Sequence, residues 1–162
     1  MSDQIQIPPQ PSPAMIEGID WLALGVPRPD PFTLRLTITP AHISRIIPHV
    51  PNTTFVQWLE TMAVNHSDSL GFDGAWHRQR DLIWFVRRHE IDYLAEVIQG
   101  DELAMATWVE GFNKTSCPRR YFIYRPADAA VICRAMTVWV LMSRSARRPQ
   151  RIDPAMAAAY LA

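Results

Sequence analysis

Cysteine is nearly absent: Cys117 and Cys133 are the only two in 162 residues. Two cysteines make no disulfide framework, and they lack the paired spacing of a zinc site, so no metal is expected. An excess of either charge is also missing. Sixteen Lys and Arg balance sixteen Asp and Glu, which argues against general nucleic-acid binding, because that depends on a basic surface. No apolar run approaches the ~20 residues that cross a bilayer, so no membrane association is expected. The opening Met-Ser-Asp-Gln-Ile-Gln carries no basic stretch leading into an apolar one, so no signal peptide is expected and the default location is the cytoplasm. Glycine is sparse at six against fourteen prolines, and no internal repeat is visible. What remains is ordinary globular composition, 48% apolar and 20% charged. At this length one domain is expected, able to bury about two-thirds of its unfolded surface without staples.

The organisation follows from local pattern. Pro8, Pro9, Pro11 and Pro13 mark an extended arm. Met15, Ile16, Ile19, Trp21, Leu22 and Leu24 fit one short apolar helix before Pro27, Pro29 and Pro31. Phe32, Leu34, Leu36 and Ile38 alternate with polar residues, which predicts a half-buried strand ended by Pro40. The best helix runs from about Thr53 to Leu70. Phe55, Trp58, Leu59, Met62, Ala63, His66 and Leu70 recur at steps of three and four. Asn52, Thr53 or Thr54 offers a cap, Thr54 with Gln57 a capping box, and Gly71 a stop. Eighteen residues span about 27 Å, enough to cross a sheet. A loop around residues 73–81 precedes strands at 82–94, 102–112, 114–125 and 130–143, and a short helix can follow Pro154. The division is an arm over residues 1–30, a domain over 31–154 and a tail over 155–162.

This order predicts an α+β fold: a curved antiparallel sheet of about five strands wrapped around one long central helix. Such a sheet leaves edges to be covered, and pairing across a twofold axis does so, which predicts a homodimer or a dimer of dimers.

Several stretches, in order, carry a resemblance. His49-Val50-Pro51-Asn52, Phe55-Val56-Gln57-Trp58-Leu59-Glu60, Asn65-His66-Ser67, His89-Glu90-Ile91-Asp92, Gly100-Asp101-Glu102-Leu103, Trp108-Val109-Glu110-Gly111 and Arg134-Ala135-Met136-Thr137-Val138-Trp139 resemble hot-dog-fold acyl-CoA thioesterases, in particular the 4-hydroxybenzoyl-CoA thioesterase-like group. The similarity runs from about Pro31 to Pro154. It implies the hot-dog fold and hydrolysis of an acyl-CoA or acyl-carrier thioester. It implies no cofactor, and an active site where the helix start meets a neighbouring subunit.

Thioester hydrolysis needs an oxyanion donor, a carboxylate or activated water, and an acyl pocket. The unpaired N–H groups of Asn52 and Thr53 at the helix start suit the first. The resemblance leads one to expect an Asp in the preceding loop, yet Arg45 or Ser44 stands there, and no acid occurs between Pro31 and Gln57. The nearest carboxylate is Glu60, about 12 Å along the helix from Asn52, and a buried Glu can act as a base. His66 is a second candidate for proton transfer or a packed core histidine. His49 can bind the thioester or a water, or simply pack its loop. Ser44 is a turn residue or a substrate contact, and Arg45 can orient an acyl group. Asn113, Lys114 and Arg119 fall where relatives hold CoA phosphates. Trp58, Met62, Trp84, Trp108 and Trp139 are core or pocket lining. The missing loop acid also admits a non-catalytic hot-dog protein that binds an acyl thioester or a protein partner.

Overall fold

The computed structural model describes residues 8–162, and the part of the proline-rich arm over residues 1–7 lies outside them. Six strands form one antiparallel sheet: β1 (Ser12–Pro13), β2 (Phe32–Thr37), β3 (Leu82–Tyr93), β4 (Glu102–Val109), β5 (Ser116–Arg125) and β6 (Ala130–Ser143). Their spatial order is β1-β2-β4-β5-β6-β3. The helices are α1 (Asn52–Ser69), α2 (Gly74–Gln79) and α3 (Pro154–Leu161). The alternation of β2 holds: Leu34 and Leu36 are buried while Arg35 and Thr37 are exposed. β1 is the sixth strand beyond the expected five. It is a two-residue piece of the arm that pairs Ser12 with Arg35 and Pro13 with Leu34, covering the β2 edge.

α1 joins β2, near one edge, to β3 at the other. Four strand spacings are about 19 Å, so a helix of about 27 Å crosses the sheet. Its buried stripe of Phe55, Trp58, Leu59, Met62, Ala63 and His66 is the one the spacing predicts. Those side chains meet Leu34, Leu36, Leu103, Met105, Tyr121 and Ile123 from the sheet. The expected side-chain cap does not form. Pro51 occupies the cap position in extended geometry and the helix begins at Asn52, so Thr54 lies too far inside to cap. The stop is as expected. Gly71 adopts φ +84°, its N–H donates to the Asp68 carbonyl, and the Phe72 N–H reaches back to the Ser67 carbonyl, both at 3.0 Å. This is a Schellman closure, which requires the left-handed conformation that glycine adopts freely.

Two other expectations are corrected. Residues 15–25 form no helix. Gly18 and Gly25 take φ of +78° and +84°, which breaks the run into turns, and Trp21 and Val26 cover the outer face of the sheet at Ala104, Ala106, Trp108 and Phe122. The stretch read as a loop around 73–81 holds α2, whose start is capped by Asp73 accepting from the Trp76 N–H at 2.7 Å. At the far end, α3 packs Met156 and Tyr160 into a cluster with Cys117, Leu141 and Ile152. No helix among the described residues is long and apolar enough to cross a membrane.

Candidate functional site

α1 strings the sequence-predicted residues along its length and keeps them apart. At its start, Thr54 donates to the Pro51 carbonyl at 3.0 Å. No side chain caps the turn, which leaves the Asn52 and Thr53 N–H groups as its open donors. His49 and Asn52 line a cleft of about 320 Å³ with Tyr93, whose hydroxyl donates to the Asn52 carbonyl at 3.4 Å. Ser44 closes the loop before the helix: its hydroxyl accepts from the Ile46 N–H at 3.1 Å, and its N–H donates to the His49 carbonyl at 3.3 Å. Arg45 is exposed beside it, and Asn113 and Lys114 are exposed at the β4–β5 connection, away from the helix start.

Glu60 sits midway along α1 on its exposed side. It borders a cavity of about 310 Å³ enclosed by the C-terminal half of α1, α2 and the inner faces of β3, β5 and β6. The cavity walls include Ala63, Phe72, Trp84 and Trp139, and Asp68, Arg78 and Arg144 charge its rim. Trp84 and Trp139 thus line this cavity, Trp58 is core, and the buried Trp108 borders a separate cleft with Gly25, Pro27 and Arg120.

Behind Glu60 and the cavity runs a polar row. Strand register sets His89 opposite Thr137, and Thr137 opposite Arg119, across β3, β6 and β5. His89 Nδ1 lies 2.8 Å from Thr137 Oγ1. Burial draws the His89 pKa below 6.5, while the charge of Glu60 acts against that shift. At the other end of the row Arg119 Nη1 donates to His66 Nδ1 at 2.9 Å and to Thr107 Oγ1 at 3.2 Å. His66 stacks on Phe32 at 4.9 Å and meets Tyr160 edge-on at 5.4 Å. Burial and then the Arg119 charge lower its pKa from 6.5 to about 3. A guanidinium can only donate, so His66 Nδ1 must be the bare acceptor nitrogen. His66 is therefore a neutral, fixed imidazole, about 9 Å beyond Glu60 along the helix.

Sequence reasoning reached Glu60, His66 and Arg119 but gave no role to His89 or Thr137. The reason is a bulge. The β3–β6 register skips between Val86 and Arg88, so the half-buried positions change from Leu82, Trp84 and Val86 to His89 and Ile91. Unbroken alternation would turn Arg88 inward and His89 to solvent.

Residues 49–160 match the acyl-ACP thioesterase N-terminal domain family. A chloroplast acyl-[acyl-carrier-protein] hydrolase of Cuphea viscosissima is 30% identical over 105 residues, 61% of this chain and 26% of its own length. The chain spans about a quarter to a third of the curated relatives it matches. Among solved structures, a 1,4-dihydroxy-2-naphthoyl-CoA thioesterase from Synechocystis superposes with a TM-score of 0.73 at 17% identity, covering 82% of this chain and 96% of that one. An acyl-ACP thioesterase from Bacteroides thetaiotaomicron superposes with a TM-score of 0.70 at 20% identity, covering 80% and 52%. The sheet wrapped on α1 is the hot-dog fold.

Proposed function

The chain belongs to the acyl-ACP thioesterase N-terminal domain family, and on that premise we propose that it hydrolyses an acyl thioester, carried on CoA or on an acyl carrier protein, to the free acid and thiol. The observation that supports this most is the placement of Glu60, an accessible carboxylate at the border of a largely apolar cavity in a loop-acid-free chain. Glu60 takes a proton from water as the water attacks the thioester carbonyl. The tetrahedral oxyanion then collapses, the C–S bond breaks, and the proton taken up by Glu60 passes to the leaving sulfur, which departs as the thiol. His89, held by Thr137, lies within electrostatic reach of Glu60. The acyl group occupies the cavity against Trp84 and Trp139, Lys114 and Asn113 meet the phosphate of the carrier arm, and Arg45, beside the helix start, orients the acyl carbonyl.

The oxyanion donors are the Asn52 and Thr53 N–H groups of a second copy, with His49 beside them. Within one chain Glu60 is about 12 Å from Asn52, too far to share a carbonyl. The β3 edge of the sheet carries Phe85 at 62% exposure and Ile83 at 38%. Two such strands paired antiparallel across a twofold axis would extend the sheet and bring one α1 alongside the other. A homodimer, or a dimer of dimers, completes the site. Both cysteines are buried free thiols, which suits a reducing compartment such as the cytoplasm.

The test is thiol release by the purified chain from matched octanoyl-CoA and octanoyl-ACP, followed with a thiol-reactive dye. Turnover of at least one is expected. A folded chain that releases thiol from neither, nor from longer or aromatic acyl groups, overturns the reading.

A further inference from the structure

Among the described residues, Arg119 is a buried cation without an anion. Its residue exposure is 4%, and it contributes to the wall of the cavity that Glu60 borders. Nη1 is engaged by His66 and Thr107, both neutral acceptors. No acceptor meets Nε or Nη2 among the described residues. No carboxylate forms an ion pair with this guanidinium among the described residues.

The other ionisable groups around it do not supply a negative charge. Burial pushes the Cys117 thiol up to about 12, and it raises the Tyr121 and Tyr160 phenols above their ordinary value of 10.0. All three stay protonated at neutral pH. Tyr160 instead offers its ring face, 5.5 Å from the guanidinium carbon. The acids of the cavity, Glu60 and Asp68, are exposed at its rim, where Arg78 and Arg144 stand with them. A buried guanidinium left with spare N–H donors and no counter-charge is costly for a fold, and the cost falls when an anion enters. A carboxylate matches the planar fork of Nε and Nη2 in two parallel hydrogen bonds.

We infer that Arg119 recognises a carboxylate at the far end of the acyl group, so that the substrate class is an ω-carboxyacyl thioester. This rests on the reading of Glu60 as the hydrolytic end of the cavity. Arg119 is bound to His66, six residues beyond Glu60 on α1, a separation of about 9 Å that an extended chain of about seven bonds would span. Acyl groups of about six to ten carbons therefore place one end at each group. A plain acyl chain of the same length would leave the guanidinium desolvated and unpaired.

The experiment compares two non-hydrolysable thioethers by calorimetry on the full chain: S-octyl-CoA and S-(7-carboxyheptyl)-CoA. They differ only in the terminal carboxylate. The wild type is expected to bind the carboxylated compound at least tenfold more tightly. That preference is expected to vanish in Arg119→Gln and in Arg119→Met, the second of which fills the site with an apolar side chain of similar length. Equal or tighter binding of S-octyl-CoA by the wild type overturns the inference without involving any variant, and leaves the thioester reading standing. The same pair built on acyl carrier protein is tested in parallel, and binding of neither compound on either carrier overturns both. Free suberate and octanoate separate the two sources of a carboxylate. If octanoate alone binds as tightly as suberate and competes with S-(7-carboxyheptyl)-CoA, Arg119 holds the product carboxylate, and the assignment to the far end is overturned.

Discussion

Lowering the pH should destabilise this chain through one residue, His66. The imidazole is held between Phe32 and Tyr160 with Nδ1 accepting from Arg119. Protonation would set an N–H against the guanidinium N–H and place two cations in contact. The folded-state pKa accordingly falls from 6.5 to about 3. The sign follows from linkage. Between these values the unfolded chain binds a proton that the folded chain refuses, so stability falls as pH drops below 6.5 and levels off near 3. At pH 5 the unfolded imidazole is almost fully protonated and the folded one is not. The free-energy penalty relative to pH 8 is then about 2 kcal/mol, equivalent to about 4–8 °C in Tm for a chain of this size. The assay is urea unfolding at pH 8 and pH 5 for wild type and His66→Gln, whose side-chain oxygen can still accept from Arg119. The carboxylates and His89 titrate in both proteins and cancel in the comparison. The wild type should lose about 2 kcal/mol more than the variant between the two pH values. Equal losses would refute the buried, neutral state of His66.

Other substitutions probe the rest of the fold. Trp58→Ala removes the largest fully buried side chain of α1 and should cost about 3–5 kcal/mol in the urea midpoint; a cost under 1 kcal/mol would mean that the helix does not pack as described. Gly71→Ala meets no atom within 4 Å but keeps φ +84°. Only backbone strain opposes it, so the loss should be about 1 kcal/mol by thermal melting, and a much larger loss would point to a contact that the structure lacks. Phe85→Glu on the open β3 edge should convert the proposed dimer to a folded monomer by light scattering and abolish thiol release. A monomeric wild type, or an active monomeric variant, would contradict the two-copy site.

Much of this architecture was legible because two periodicities are clean. The alternation from Phe32 to Ile38 and the stripe from Phe55 to His66 each place apolar residues on one face, and no competing pattern overlays them. The 15–25 segment misled because its apolar residues have helical spacing, while Gly18 and Gly25 bend it into turns that only packing against Phe122 and Trp108 explains. α2 was missed because six residues with a histidine, an arginine and a glycine read as a loop, and its stability comes from the Asp73 cap and from the edge-on contact of Trp76 with Phe72. Glu60 drew attention as the acid nearest the helix start once the expected loop Asp was missing, and His66 by its place on the apolar stripe. The inward turn of His89 depends on a bulge, which leaves no mark in composition. Arg119 was visible as a cation at the right strand, but its burial against His66 follows from the β5–β6 register and not from any local pattern.

The role of Glu60 as the carboxylate of an acyl thioester hydrolase is tested by the rate of thiol release by Glu60→Gln beside that of wild type on the same acyl thioester. The substitution keeps shape and removes the base. A fall in kcat of at least about 100-fold is predicted, the size expected for losing a positioned general base, with far-UV circular dichroism and the binding of S-octyl-CoA unchanged. A Glu60→Gln protein that hydrolyses at the wild-type rate would contradict the account.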